Sequence, residues 1–137
     1  MKTEILESFA GFDDFLIYLA IAAALLMVFV AIYVRITPYH EVPLIREGNK
    51  AAAFSLSGTL LGMIVPLAHA VEYSVNPVDM AIWGFIALAV QLIVYVIARI
   101  TLPNIAKDIP AGKEASGIFL GAISLGAGIL SAACISY

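Results

Sequence analysis

ASGIFLGAISLGAGILSAACISY, residues Ala115–Tyr137, is the stretch whose reading decides the fold. Gly117, Gly121, Ser124, Gly128 and Ser131 recur at alternating steps of four and three, which sets them along one side of a helix. Gly126, with Ala122 and Ala133, lines a second side. Small residues let helices approach closely inside a membrane, so two faces of this segment are suited to receive neighbours. It is expected to be the most buried helix.

The composition supplies the environment for such a helix. The 137 residues are 63% hydrophobic and 12% charged, with a mean hydropathy of +1.03. Soluble chains are about half apolar and a quarter charged, so this is a membrane protein. A helical span takes about 20 apolar residues. Runs of that kind lie at Phe15–Ile36, Ala51–Val71, Met80–Ile100 and Ala115–Ser136. The expected fold is therefore all-α: one polytopic membrane domain, residues 1–137, of four transmembrane helices. What remains is too short for a folded extramembrane domain, which excludes a conventional soluble catalytic unit.

Charge placement orients the spans. Arg35, Arg46 and Lys50 flank one connection and Arg99, Lys107 and Lys113 another, whereas Glu72–Asp79 has no Lys or Arg. By the positive-inside rule the basic connections face the cytoplasm and both termini lie outside it. The acidic tail with Glu4, Glu7, Asp13 and Asp14 fits that side and argues against a cleaved signal peptide. Phe9, Phe12, Phe15, Tyr18 and Trp83 fall near the outer interface as anchors. The first span has large side chains nearly all round, which suits contact with lipid.

A displacement of 64 residues aligns Arg35-Ile36-Thr37 with Arg99-Ile100-Thr101, Gly48 with Gly112, Leu61-Gly62 with Leu125-Gly126 and Tyr73 with Tyr137. The reading is two tandem two-helix repeats, 15–73 and 79–137, parallel because each contains two spans. Pro38 and Pro43 in the first connection, and Pro103 and Pro110 in the second, make both short ordered elbows rather than continuous helix.

REGNKAAAFSLSGTLLG (Arg46–Gly62), the duplicated layout and the ending Gly117–Tyr137 resemble the YjfL-like bacterial inner membrane proteins, domain of unknown function 350. The family's Glu-x-Asn-x-Ala-Ala-Ala element maps to Glu47, Asn49, Ala51, Ala52 and Ala53, whereas Ala111 and Lys113 stand at the positions of Glu47 and Asn49 in the second copy. The resemblance implies a bacterial inner-membrane location and carries no activity with it.

Three groups of residues are candidates for function or assembly. In the second helix Ala51, Ser55, Gly58 and Gly62 continue the four-three spacing to His69 and Glu72, with Pro66 one turn before His69. Together with Gln91 in the middle of the third helix, this end forms a candidate polar path or pocket. Gln91 needs a partner in the membrane, which Ser55, Thr59 or Ser124 can supply. Arg46, Glu47 and Asn49 form a candidate partner-binding elbow, in which Asn49 is also placed to cap the second helix. Gly58, Gly62, Gly117, Gly121, Ser124, Gly126 and Gly128 are assigned to helix packing.

The chemistry that the chain lacks narrows the classes. No deep carboxylate suits a proton-pump rotor, and no phosphate-binding loop, HExxH or serine elbow appears, so no enzyme, cofactor or metal is expected. Nothing argues for nucleic acid. The partners expected are the bilayer, further copies of the chain, or a second membrane or cytoplasmic protein. Two functions follow: an oligomeric channel or transporter component for a small solute or ion, or a non-transporting scaffold or regulatory subunit of an envelope complex.

Overall fold

The computed structural model describes residues 1–135. Ser136, the last residue of the fourth expected span, and Tyr137, the repeat mate of Tyr73, lie outside the described residues. Seven helices follow one another: α1 Lys2–Ser8, α2 Phe12–Ile36, α3 Glu41–Arg46, α4 Lys50–Tyr73, α5 Pro77–Thr101, α6 Ile105–Asp108 and α7 Glu114–Cys134. Four of the segments are long and apolar enough to cross a membrane: α2 with α1 leading into it, α4, α5 and α7.

Helix boundaries follow local chemistry. Asn49 caps α4 through its Oδ1, which accepts from the Ala52 N–H at 3.0 Å, and Asn76 caps α5 by accepting from Asp79 N–H at 2.8 Å. Pro77 sits at the first position of α5, where no intrahelical N–H is needed. Gly48 and Gly112, each just before the N-cap of a spanning helix, have φ of +88° and +79°. Residues with a Cβ rarely occupy that region, so glycine sets both sharp starts.

The core is organised on the contact between α4 and α7. A Cβ at Gly117 would lie 2.2 Å from the Ala51 carbonyl, one at Gly121 2.5 Å from the Phe54 carbonyl, and one at Gly128 2.0 Å from the Gly62 carbonyl. From the α4 side, a Cβ at Gly58 would meet Gly121 Cα at 2.3 Å and one at Gly62 the Ser124 carbonyl at 2.3 Å. The two helices meet backbone to backbone. α5 packs on both, and α2 leans on α5 and α4 through Leu25, Phe29 and Tyr33.

Two expectations need correction. The most buried spanning helix is α4, with 44% of its apolar window buried against 33% in α7, because α4 alone has α2, α3, α5 and α7 around it. Only one small-residue face of α7 is covered. Ala122 and Ala133 are exposed, Gly126 is half-buried, and a Cβ at Gly126 would meet nothing within 4 Å. Gly126 therefore does not serve packing within the chain. α2, with 11% of its window buried, is the peripheral helix.

Candidate functional site

The end of the bundle bearing α3 and α6 holds a polar cluster that the sequence did not single out. α2 ends at Ile36, and Pro38 turns the chain so that α3 begins at Glu41. Pro43 falls in the first turn of α3, where its missing N–H costs nothing. This geometry carries Glu41 inward: it is 1% exposed, although it lies in a connection. Thr37 Oγ1 donates to Glu41 Oε1, while Oε2 has no hydrogen-bond partner.

Around Glu41 stand Tyr33 and Thr37 at the end of α2, Tyr39 in the connection, and Tyr95 of α5 with Arg99 one turn beyond. The Tyr33 and Tyr95 rings meet edge to face at 5.2 Å. The Tyr39 and Tyr95 hydroxyls are buried without hydrogen-bond partners. Burial raises the Glu41 carboxyl to about 7, the Thr37 hydrogen bond acting against the rise, and burial also pushes the Tyr39 phenol up. Tyr95 and Arg99 line a recess of about 460 Å³ between α2 and α5 that opens to the surface.

Polar groups continue from this cluster towards the middle of the bundle. Thr59 Oγ1 lies 3.5 Å from the Tyr33 hydroxyl and 3.3 Å from Ser124 Oγ. Gln91 Nε2 then donates to two carbonyls, Gly62 at 2.9 Å and Ser124 at 3.0 Å. The first acceptor has a specific origin. In an α-helix the Gly62 carbonyl would accept from residue 66, which is Pro66 and has no N–H. Gln91 supplies the missing donor from a neighbouring helix.

Beyond Gln91 the centre of the bundle is apolar. Met63, Pro66, Leu67, Ala70 and Met80 are all buried there. Gln91 is thus not brought together with the His69 and Glu72 end. His69 lies seven residues past Gly62 on the same helix, about 10 Å along it. Its ring lies tilted at 43° to that of Tyr73 with centroids 4.6 Å apart, and Glu72 is exposed. Among the described residues no three metal-ligating side chains gather there.

The candidate elbow is drawn together differently. Asn49, besides capping α4, donates through Nδ2 to the carbonyls of Ile109 at 2.9 Å and Pro110 at 3.3 Å, tying the first basic connection to the second. Glu47, Asn49, Lys50 and Glu114 line a polar groove of about 430 Å³ beside Pro110 and Gly112. Lys50 and Glu114 face each other at 3.9 Å across it. Arg46 and Glu47 are exposed and enter no ion pair among the described residues. The signal for Glu41 in the sequence was its place between Tyr39 and Val42, two residues before Pro43; its inward turn depends on α2 ending at Ile36.

Four apolar helices, tight glycine packing and a polar cluster at one end define a multi-pass helical protein of the inner membrane. The chain belongs to the Domain of Unknown Function (DUF350) family, which matches residues 5–135. It is 38% identical over 133 residues to the UPF0719 inner membrane protein YjfL of Escherichia coli (strain K12), covering 97% of this chain and 98% of that protein. Over 120 residues it is 28% identical to the UPF0719 transmembrane protein YshE of Bacillus subtilis (strain 168), covering 86% and 90%. No solved structure matches.

Proposed function

We propose that this protein is a non-transporting regulatory or scaffold subunit of an envelope complex, presenting its joined elbows to a partner on the cytoplasmic side. One observation carries the reading: Asn49 stitches the two basic connections into a single polar platform, on which Arg46 and Glu47 remain uncommitted. Two like elbows are part of it. Gly48 and Gly112 share a positive φ before an N-cap, which supports the tandem repeat. The open small-residue face of α7 supports a homo-oligomer carrying several platforms.

A photo-crosslinking residue placed at 47 in living cells tests this reading, with Phe85 on the exposed side of α5 as the comparison site. A crosslinked second polypeptide is expected from position 47 and not from 85. Self-adducts alone at 46 and 47 would sink it. The second reading, a transporter component, is favoured by the polar groups running from Glu41 to Gln91. It requires the apolar half beyond Gln91 to open, so it predicts ion or solute flux from proteoliposomes that Glu41→Gln abolishes.

A further inference from the structure

Glu41 has one hydroxyl donor beside it, and that donor has other acceptors in reach. Thr37 Oγ1 carries one hydrogen and faces three oxygens: Glu41 Oε1 and the carbonyls of Val34 and Tyr39, each of the latter at 3.3 Å. A hydroxyl donates once. Thr37 can give Oε1 one hydrogen bond, Oε2 has none, and a proton on the carboxyl removes the charge that these leave uncompensated. The surroundings agree. Among the described residues no Lys or Arg pairs with Glu41, and a buried carboxylate without a cation is strongly disfavoured. The buried Tyr39 and Tyr95 hydroxyls lie within electrostatic reach of Glu41 and make no hydrogen bond to it.

The geometry points to Glu41 as a proton-binding site that latches the first elbow: protonated, it holds α3 seated on α4 with its carboxyl turned in beside Thr37, and on losing its proton it releases α3. The site is closed to anything larger than a proton, since Glu41 is 1% exposed and lines none of the recesses around it. Tyr95, which acts on Glu41, also lines the open recess between α2 and α5, which gives water an approach to the cluster. The titratable groups that act on Glu41 are Tyr33 from α2, Tyr39 from the connection and Tyr95 from α5, while Arg99 acts on Tyr95. His40, the adjacent residue, is exposed. The inference holds or fails independently of partner binding or transport, because it concerns the seat of α3 alone.

The sign follows from linkage. The seated carboxyl stands at about 7, above the ordinary carboxylate value of 4.5 that it regains when released. The seat is therefore firmest below about 4.5, loses about tenfold per pH unit as pH rises towards 7, and changes no further above that. The test uses the full chain in lipid nanodiscs. Infrared difference spectra between wild type and Glu41→Gln report the carboxyl, and hydrogen exchange of amides 41–48, corrected for its intrinsic pH dependence, reports the seat.

The expected result is a protonated carboxyl band at pH 5.5 that fades near 7, with elbow exchange rising over the same interval. Glu41→Gln, neutral and nearly isosteric, is expected to hold the elbow seated at every pH. A Glu41 carboxylate already ionised at pH 5 overturns the inference. So does the same pH response of elbow exchange in wild type and Glu41→Gln.

Discussion

The Gln91 amide and the Pro66 ring should be energetically coupled, because one replaces the hydrogen bond that the other removes. Gln91→Leu takes away the donors to the Gly62 and Ser124 carbonyls. The Ser124 carbonyl keeps its helical partner, the Gly128 N–H, whereas the Gly62 carbonyl is left with none. The same substitution also removes the buried, unpartnered Gln91 Oε1, which returns part of the loss. The single variant is therefore a poor measure of the bond, and a double-mutant cycle with Pro66→Ala isolates it. In the Pro66→Ala background a backbone N–H serves the Gly62 carbonyl, and Gln91 is needed less. The cavity left by the proline ring is common to both members of that pair and cancels. Interhelical hydrogen bonds in membranes average about 0.6 kcal/mol and reach about 1.7. A coupling of about 1 kcal/mol is expected, Gln91→Leu being more costly in the wild-type chain than in the Pro66→Ala background. Unfolding by dodecyl sulfate in mixed micelles, followed through the single tryptophan, Trp83, gives the four free energies. Additivity within about 0.3 kcal/mol, the usual behaviour of independent sites, would refute the account of Gln91 as a surrogate donor.

Three further outcomes can be checked by the same unfolding titration. Gly128→Ala forces a methyl to 2.0 Å from the Gly62 carbonyl and should cost about 3 kcal/mol or more, the upper end for overpacking, whereas Gly126→Ala, open on all sides, should stay within about 0.5 kcal/mol. Gly48→Ala and Gly112→Ala should each cost about 1–2 kcal/mol, through the left-handed backbone and not through a clash, since nothing lies within 4 Å of either Cβ position. Asn49→Ala loses a cap and the tether to Ile109 and Pro110, so it should cost about 1–2 kcal/mol and raise hydrogen exchange in both elbows; Asn49→Asp, which keeps the cap but not the donors, should raise exchange while recovering much of the stability.

The spanning helices were legible because membranes leave so few solutions. Each expected run lies within three residues of an observed helix boundary: Phe15–Ile36 inside Phe12–Ile36, Ala51–Val71 inside Lys50–Tyr73, Met80–Ile100 inside Pro77–Thr101, and the start Ala115 beside Glu114. The four-three seam of α7 was legible for a related reason. Gly117, Gly121, Ser124 and Gly128 are all buried against α4, since a glycine seam admits a backbone where larger residues do not. What periodicity could not say is whether a second seam finds an occupant in the same chain, and the Ala122, Gly126 and Ala133 face does not. The Pro66 and Gln91 link was half legible: the freed carbonyl follows from the proline, but its donor, 25 residues later, depends on how α5 is rotated. Glu41 was hidden for another reason. A charged residue between two prolines in a connection reads as solvated, and only the fold of the turn after Ile36 shows that it is not.

The placement of polar groups bears on how such a protein can respond to its surroundings. Between α4 and α7 the backbones are too close for water, so no hydrated route runs along the principal contact of the fold. The polar groups run from Glu41 and the tyrosines, where α2 and α5 approach α4, through Thr59 and Ser124 of α7 to Gln91. That series ends where α4 has lost an internal hydrogen bond to Pro66, and apolar side chains close the remainder. One end therefore holds a carboxyl whose charge can change, and the other holds a carbonyl of α4 whose partner comes from another helix. α3 seats on α4, so a change at the elbow bears first on the helix that carries that carbonyl.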